Sequence, residues 1–133
     1  MGIKSIVDLR REGADDHELL TRHSIRYLRL PTTDHHSPSQ GHLMEGGRWV
    51  ADEIRAGRRT LVHCKEGIGR SIGVVCCAFV LAGYSLSDAI RLVKSKRWGV
   101  ALNGIQMSGL EAFEQAATMT GGPVEVASDG LRV

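Results

Sequence analysis

The spacing of apolar positions changes several times along the chain, and each change predicts an element. Ile3 to Leu9 reads as a short strand ending in Asp8-Leu9-Arg10. Glu12 to Thr21 is mostly polar, with Leu19 and Leu20, and predicts a short helix or turn. Ile25-Arg26-Tyr27-Leu28-Arg29-Leu30 alternates apolar and basic residues, the pattern of a half-buried strand. Pro31 to Gly41 is turn-rich, with two prolines, two threonines, Asp34, Ser37 and Ser39. Leu43, Gly47, Val50 and Ile54 then recur at helical spacing up to a stop near Gly57. Arg58 and Arg59 read as a solvated connector.

Thr60-Leu61-Val62 begins a third strand that runs to Cys64. Ser71 to Ala82 is apolar almost all round, so this helix should be central and buried. Gly83 ends it, and Ser85 or Ser87 caps the next helix, whose inner face is Leu86, Ala89, Ile90 and Val93. Lys94, Lys96 and Arg97 lie at its end, where cations complement the helix dipole. A last helix from about Gly104 to Thr118 aligns Gln106, Leu110, Phe113 and Ala117. Strands alternating with helices predict an α/β fold with a small central sheet flanked by helices. Three strands are few for about four helices, so a further strand is expected in the tail, at Val124 to Ala127.

Composition narrows the class. At 133 residues, 42% hydrophobic and 24% charged, the chain fits one globular domain, taken as residues 1–118 with a tail at 119–133. A net charge of +2 is too small to argue for nucleic acid or an anionic membrane. No stretch approaches the roughly 20 apolar residues of a membrane span, and the start lacks the apolar core of a signal peptide. Three cysteines, Cys64, Cys76 and the adjacent Cys77, form neither a disulfide framework nor a zinc pattern. A reducing, cytoplasmic setting is expected. Cys76 and Cys77 lie roughly 8–9 Å beyond the start of their helix at 1.5 Å per residue, so core packing is expected for both. Oligomeric state is not legible.

The chemistry concentrates between His63 and Ser71. A strand, a turn containing Gly67 and Gly69, and a helix N-terminus together make an anion cradle. Lys65, Glu66, Gly67, Ile68, Gly69 and Arg70 all carry a backbone N–H, and the glycines are expected to adopt positive φ and turn those groups inward. Arg70 can grip two phosphate oxygens in a planar fork. The same donors surround the Cys64 sulfur and favour its thiolate, so a lowered pKa is expected. Ser71 is placed to hydrogen-bond that sulfur. His63 precedes it at the strand end and points away, so a supporting role is expected rather than that of a base.

Attack of Cys64 on phosphorus leaves an oxygen that needs a proton. Asp34, in the turn-rich segment between Pro31 and Pro38, is the candidate acid, and general acid catalysis contributes about 10²–10⁴-fold. Asp52 and Glu53 are rivals on a helix expected to pack outside. Gln106, polar at the rim of a buried face, is a candidate for holding the water that ends the cycle. His35 and His36 could line the pocket rim, and with His42 they do not form a convincing metal site.

The run His63 to Ser71 resembles the HCxxGxxRS signature of the cysteine-based protein tyrosine phosphatases. The short chain, the Asp34 loop and the Asp8-Leu9-Arg10 strand end resemble the compact dual-specificity branch, over about residues 3–117. The resemblance implies a mixed sheet flanked by helices and a two-step mechanism with no metal or other cofactor. It implies Cys64 as nucleophile, Arg70 as phosphate clamp, Asp34 as acid and then base, and Ser71 as helper of thiolate departure. The substrate implied is a phosphorylated protein or a small phosphorylated molecule. The chain begins at what resembles the family's second strand, so the usual first strand is missing or trimmed. Nothing upstream resembles the tyrosine-recognition loop of the larger enzymes, which implies a shallow pocket. Lys65 resembles the branch acting on lipid and inositol phosphates. The alternatives are a phosphoinositide or other non-protein phosphatase, a rhodanese-like sulfurtransferase, and an idle phospho-binding module.

Overall fold

The computed structural model describes residues 2–64, 69–97, 100–118 and 131–132. The strands are β1 (Ser5–Arg10), β2 (Arg26–Thr32), β3 (Thr60–His63) and β4 (Leu131–Arg132). The helices are α1 (His17–Arg22), α2 (Gln40–Arg55), α3 (Arg70–Leu81), α4 (Leu86–Lys96) and α5 (Gly104–Thr118). The strands form one sheet in the order β2-β1-β3-β4. The sheet sits among helices, as expected for the α/β class, but every pairing among the described residues is parallel rather than mixed. Parallel neighbours need crossover connections, and α1 and α2 supply the first two.

Register sorts the side chains by face. Val7 lies opposite Leu28 and Val62, while Asp8 lies opposite Arg29 and His63. Strand side chains alternate, so Val7, Leu9 and Val62 enter the main core and Asp8 and His63 share the other face. That core also takes in Leu30, Leu43, Val50, Leu110, Phe113 and most of α3. Every residue of α3 from Arg70 to Val80 is buried, which is why its sequence is apolar all round.

Helix boundaries follow their caps. The Ser39 hydroxyl accepts from His42 N at α2, and the Ser85 hydroxyl accepts from Asp88 N at α4. Ser85, not Ser87, is therefore the cap. The α3 helix ends at Leu81 with Ala82 as its C-cap, followed by Gly83 with φ of +102°. The connector at Arg58 is not merely solvated: Arg58 and Arg26 both pair with the buried Glu53 carboxylate, at 2.6 and 2.9 Å. The described strand within 119–133 is β4, beside β3; Val124 to Ala127 lie outside the described residues.

Candidate active site

The site lies where β3 ends and α3 begins. Cys64 directly follows β3, and Arg70 and Ser71 open α3. All three are buried. Cys64 Sγ lies 3.5 Å from Ser71 Oγ. A thiol there donates to the hydroxyl oxygen, whereas a thiolate would accept from the hydroxyl proton. Lys65, Glu66, Gly67 and Ile68, expected to bind phosphate through their N–H groups, lie outside the described residues.

Gly69 caps α3 with φ of −109° and ψ of −57°. The positive φ expected there is thus absent. The reason for glycine is close approach: a Cβ would stand 2.6 Å from Gln106 Oε1.

Arg70 is 2% exposed, and its guanidinium is held from several sides. Nη1 donates to Glu12 Oε1 at 2.8 Å and to the Thr32 carbonyl at 2.9 Å. Nη2 donates to Glu12 Oε2 at 3.0 Å, and it lies 3.6 Å from Asp34 Oδ1. The Glu12 hydrogen bonds raise the Arg70 pKa; burial opposes this, and Cys64 and Asp34 reinforce it. In return Arg70 holds the Glu12 carboxyl down at about 2. Arg70 Nε is buried and has no hydrogen-bond partner among the described residues.

Glu12 reaches Arg70 because its loop is braced. Arg29 Nη2 donates to the carbonyls of Arg10 and Gly13, both at 3.1 Å. Arg10 Nη2 bridges Asp8 Oδ2 at 3.0 Å and Asp15 Oδ1 at 2.7 Å. The Tyr27 hydroxyl donates to Asp8 at 2.6 Å and accepts from the Asp15 N–H at 3.2 Å. Burial would raise the Asp8 carboxyl, but hydrogen bonds from Arg10 and Tyr27 outweigh it and hold the group at about 2. Burial and the Asp8 contact push the Tyr27 phenol up to about 12.

His63 Nε2 is 2.9 Å from Asp15 Oδ2, on the face away from the main core. It supports the loop that carries Glu12, consistent with its expected side of the strand. Asp8, Asp15 and His63 bring potential cation ligands within 4.8 Å of one another. Arg10 already compensates both carboxylates there.

Asp34 sits just past β2, half exposed, and accepts from His35 N at 2.9 Å. It lines a cavity of about 470 Å³ together with His35, Cys64, Gly69, Arg70, Ala101, Leu102, Asn103 and Gln106. The fold therefore gathers Cys64, Arg70, Asp34 and Gln106 around one space, with Ser71 behind the sulfur. Asp52 pairs with Arg55 and Glu53 with two arginines, and neither lines this cavity. Gln106 Oε1 accepts from Asn103 N at 3.1 Å, and its Nε2 donates to the His36 carbonyl at 3.3 Å.

Glu12, Asp15 and Asn103 were not anticipated from sequence. Asn103 had a signal: Asn followed three residues later by Gln, before an apolar run, is a capping-box pattern. Glu12 and Asp15 had none beyond lying next to a strand end. Cys76 and Cys77 are buried in α3, and burial pushes the Cys76 thiol up to about 12 and the Cys77 thiol well above its ordinary value.

Residues 1–116 match the family described as "Dual specificity phosphatase, catalytic domain". The chain is similar to the dual specificity protein phosphatase Mpk3 of Drosophila melanogaster, 33% identical over 93 residues, covering 68% of this chain and 22% of that protein. The structure of human DUSP28 is similar with a TM-score of 0.78 and 26% identity, covering 90% of this chain and 82% of that one. PTPMT1 in complex with PI(5)P shares the fold, with a TM-score of 0.78 at 20% identity over 88% of this chain and 80% of that one. The chain spans between 22% and 59% of the length of the curated relatives it matches.

Proposed function

We propose that this chain, which belongs to the dual specificity phosphatase family, hydrolyses phosphomonoesters on proteins through a cysteinyl-phosphate intermediate. The observation that carries the proposal is the convergence of Cys64, Asp34 and a buried Arg70 on one cavity. Arg70 has its two terminal nitrogens engaged by Glu12, while its Nε–H is unpartnered among the described residues. A buried donor of this kind costs free energy unless an acceptor arrives, and a phosphate oxygen is such an acceptor.

In the first step the Cys64 thiolate attacks phosphorus, forming the S–P bond as the P–O bond to the leaving group breaks. Asp34, protonated, gives its proton to the departing oxygen. In the second step water attacks phosphorus and Asp34, now a carboxylate, takes its proton. The S–P bond breaks, and the Ser71 hydroxyl donates to the sulfur as charge returns to it. Arg70, with the N–H groups of Lys65, Glu66, Gly67, Ile68 and Gly69, balances the phosphoryl charge throughout.

Gln106 keeps one amide hydrogen and one oxygen lone pair beyond its two bonds among the described residues. These are the groups that would hold the attacking water. His63 acts through Asp15 on the loop carrying Glu12.

Residues 1–118 form the catalytic domain and 119–133 its tail, working in a reducing, cytoplasmic setting. Among the described residues no helix is long and apolar enough to cross a membrane. Turnover of an aryl phosphate by wild type and by Cys64→Ser tests the reading. Loss of turnover with retained phosphate binding supports it; unchanged turnover refutes the nucleophile.

A second reading, a phosphoinositide or other non-protein substrate, draws on the fold shared with PTPMT1 and its PI(5)P complex. A panel of phosphopeptides and short-chain phosphoinositides separates the two. Preference for the phosphoinositides in kcat/KM would displace the protein reading.

A further inference from the structure

The segment after Asp34 is fastened to the start of α5 along its length. Asn103 Nδ2 donates to the His35 carbonyl at 2.7 Å. Gln106 Nε2 donates to the His36 carbonyl at 3.3 Å. Ser37 lies so close to Gly109 that a Cβ there would come within 3.0 Å of its own Cβ and overlap its hydroxyl. Gln40 Nε2 donates to the Gly109 carbonyl at 2.9 Å. The two amides at the start of α5, Asn103 just before it and Gln106 in its first turn, are themselves fixed, because Asn103 Oδ1 accepts from Gln106 N at 2.8 Å while Gln106 Oε1 accepts from Asn103 N.

His35 adds a reason for the first of these bonds. Its φ is +66°, a left-handed conformation that residues with a side chain seldom adopt. The chain therefore reverses immediately after Asp34, and Asn103 binds the carbonyl of the reversing residue. That turn is what leaves Asp34 3.6 Å from Arg70. The segment has no regular structure from Thr33 to Ser39, so contacts with α5 must hold it.

We infer that Asn103 and Gly109 are positioning residues for Asp34: the start of α5 latches the loop in the arrangement proton transfer needs before substrate arrives. The inference rests on the reading of Asp34 as the general acid. Holding the acid in place lowers the barrier by pre-ordering it. Its contribution is greatest when the leaving oxygen is a poor leaving group, because that oxygen then depends most on receiving a proton.

Asn103→Asp separates the latch from the cap. Aspartate caps a helix about as well as asparagine, so α5 keeps its start, but a carboxylate cannot donate to the His35 carbonyl. Gly109→Ala pushes on Ser37 from the other side, and Ser37→Gly removes the atoms it meets. The experiment measures kcat and KM for a series of aryl phosphates of graded leaving-group pKa. It uses wild type, Asn103→Asp, Gly109→Ala, Ser37→Gly, the Gly109→Ala/Ser37→Gly double variant and Asp34→Ala, with thermal unfolding followed for each.

The expected result is that Asn103→Asp and Gly109→Ala each lose about tenfold or more in kcat for the poorest leaving group relative to the best. The double variant should recover the slope of Ser37→Gly. Wild-type slopes for both latch variants, with a steepened slope for Asp34→Ala, would overturn the latch and leave the acid standing. An unchanged slope for Asp34→Ala would overturn the acid assignment and the latch with it. Should Asn103→Asp unfold early, the Gly109–Ser37 pair decides alone.

Discussion

Glu12 and Arg70, 58 positions apart in the chain, meet in a two-point ion pair of 2.8 and 3.0 Å. The pair fixes the plane of the guanidinium and leaves its Nε–H for something else. A planar fork held in this way is already oriented when a phosphate arrives. Glu12→Gln keeps the shape and removes the charge. It should lower kcat/KM about tenfold, chiefly through KM, since charge-assisted hydrogen bonds are roughly twice as strong as neutral ones. Arg70→Lys should cost more, about 10²-fold, because lysine cannot form the fork. Inhibition by inorganic phosphate should weaken in step with KM. A Glu12→Gln enzyme with wild-type KM and phosphate inhibition would show that the pair does not orient Arg70.

The three thiols should differ in reactivity. Burial holds Cys76 and Cys77 protonated through the neutral range, with the Cys76 pKa at about 12. The thiolate is the nucleophile in alkylation. Iodoacetamide at pH 7 should therefore modify the native protein once, at Cys64, and the denatured protein three times. Peptide mass mapping reads the positions. Bound phosphate should protect Cys64.

The Asp8–Arg10–Tyr27 network predicts how stability depends on pH. The Asp8 carboxyl falls from 3.8 to about 2 in the folded protein, so its contribution is full above pH 3.8 and is lost as pH drops towards 2. Tyr27 rises from 10.0 to about 12, so its contribution is full below pH 10 and is lost as pH climbs from 10 towards 12. Asp8→Asn should flatten the acid limb of a plot of Tm against pH, and Tyr27→Phe the alkaline limb. The Asp8→Asn variant also leaves Arg10 with Asp15 as its one charged partner among the described residues, so its Tm should be lower at pH 7.

Gly69→Ala should impair the site without straining the backbone. The φ and ψ of Gly69 suit alanine, but the added Cβ would overlap the Gln106 amide. Gln106 then has to leave the cavity or the turn before α3 has to shift. Overpacking of this kind costs about 1–3 kcal/mol. Turnover should fall at least tenfold, as a shift of about 1 Å in a catalytic group costs up to 10²-fold. Gln106→Ala in the same chain should restore the lost Tm. A Gly69→Ala enzyme with wild-type Tm and turnover would place Gln106 elsewhere.

Much of this arrangement was readable from the chain because its signals are local. The apolar sweep from Ser71 to Ala82 announced a buried helix, and α3 is buried throughout its first eleven residues. Alternation from Ile25 to Leu30 announced a strand. Cys64, Gly69, Arg70 and Ser71 are close in sequence, so their meeting is a local matter. Asp34 was legible as a polar residue in a turn-rich segment beyond a strand.

What escaped the reading is non-local or conditional on packing. No period or spacing ties Glu12 to Arg70, or Asp15 to His63; those meetings follow from β1 lying beside β3 in parallel. Gly69 was read as a glycine serving a positive φ, but the constraint there is a close neighbour on α5. Arg58 read as solvent-facing because its partner, Glu53, is buried only by the way α2 packs. The parallel pairing of β4 depends on two residues, too few to carry a pattern.

The most direct test of the account is to catch the covalent intermediate. An aryl phosphate is mixed with wild type and with Asp34→Ala, the reaction is quenched in acid within the first turnover, and the peptides are mapped by mass. The account predicts one added phosphoryl group on the peptide containing Cys64 and none on any other. The adduct should also persist longer in Asp34→Ala, where the base for its hydrolysis is gone. Turnover without a phosphorylated Cys64 peptide, or with the phosphoryl group on another residue, would contradict it.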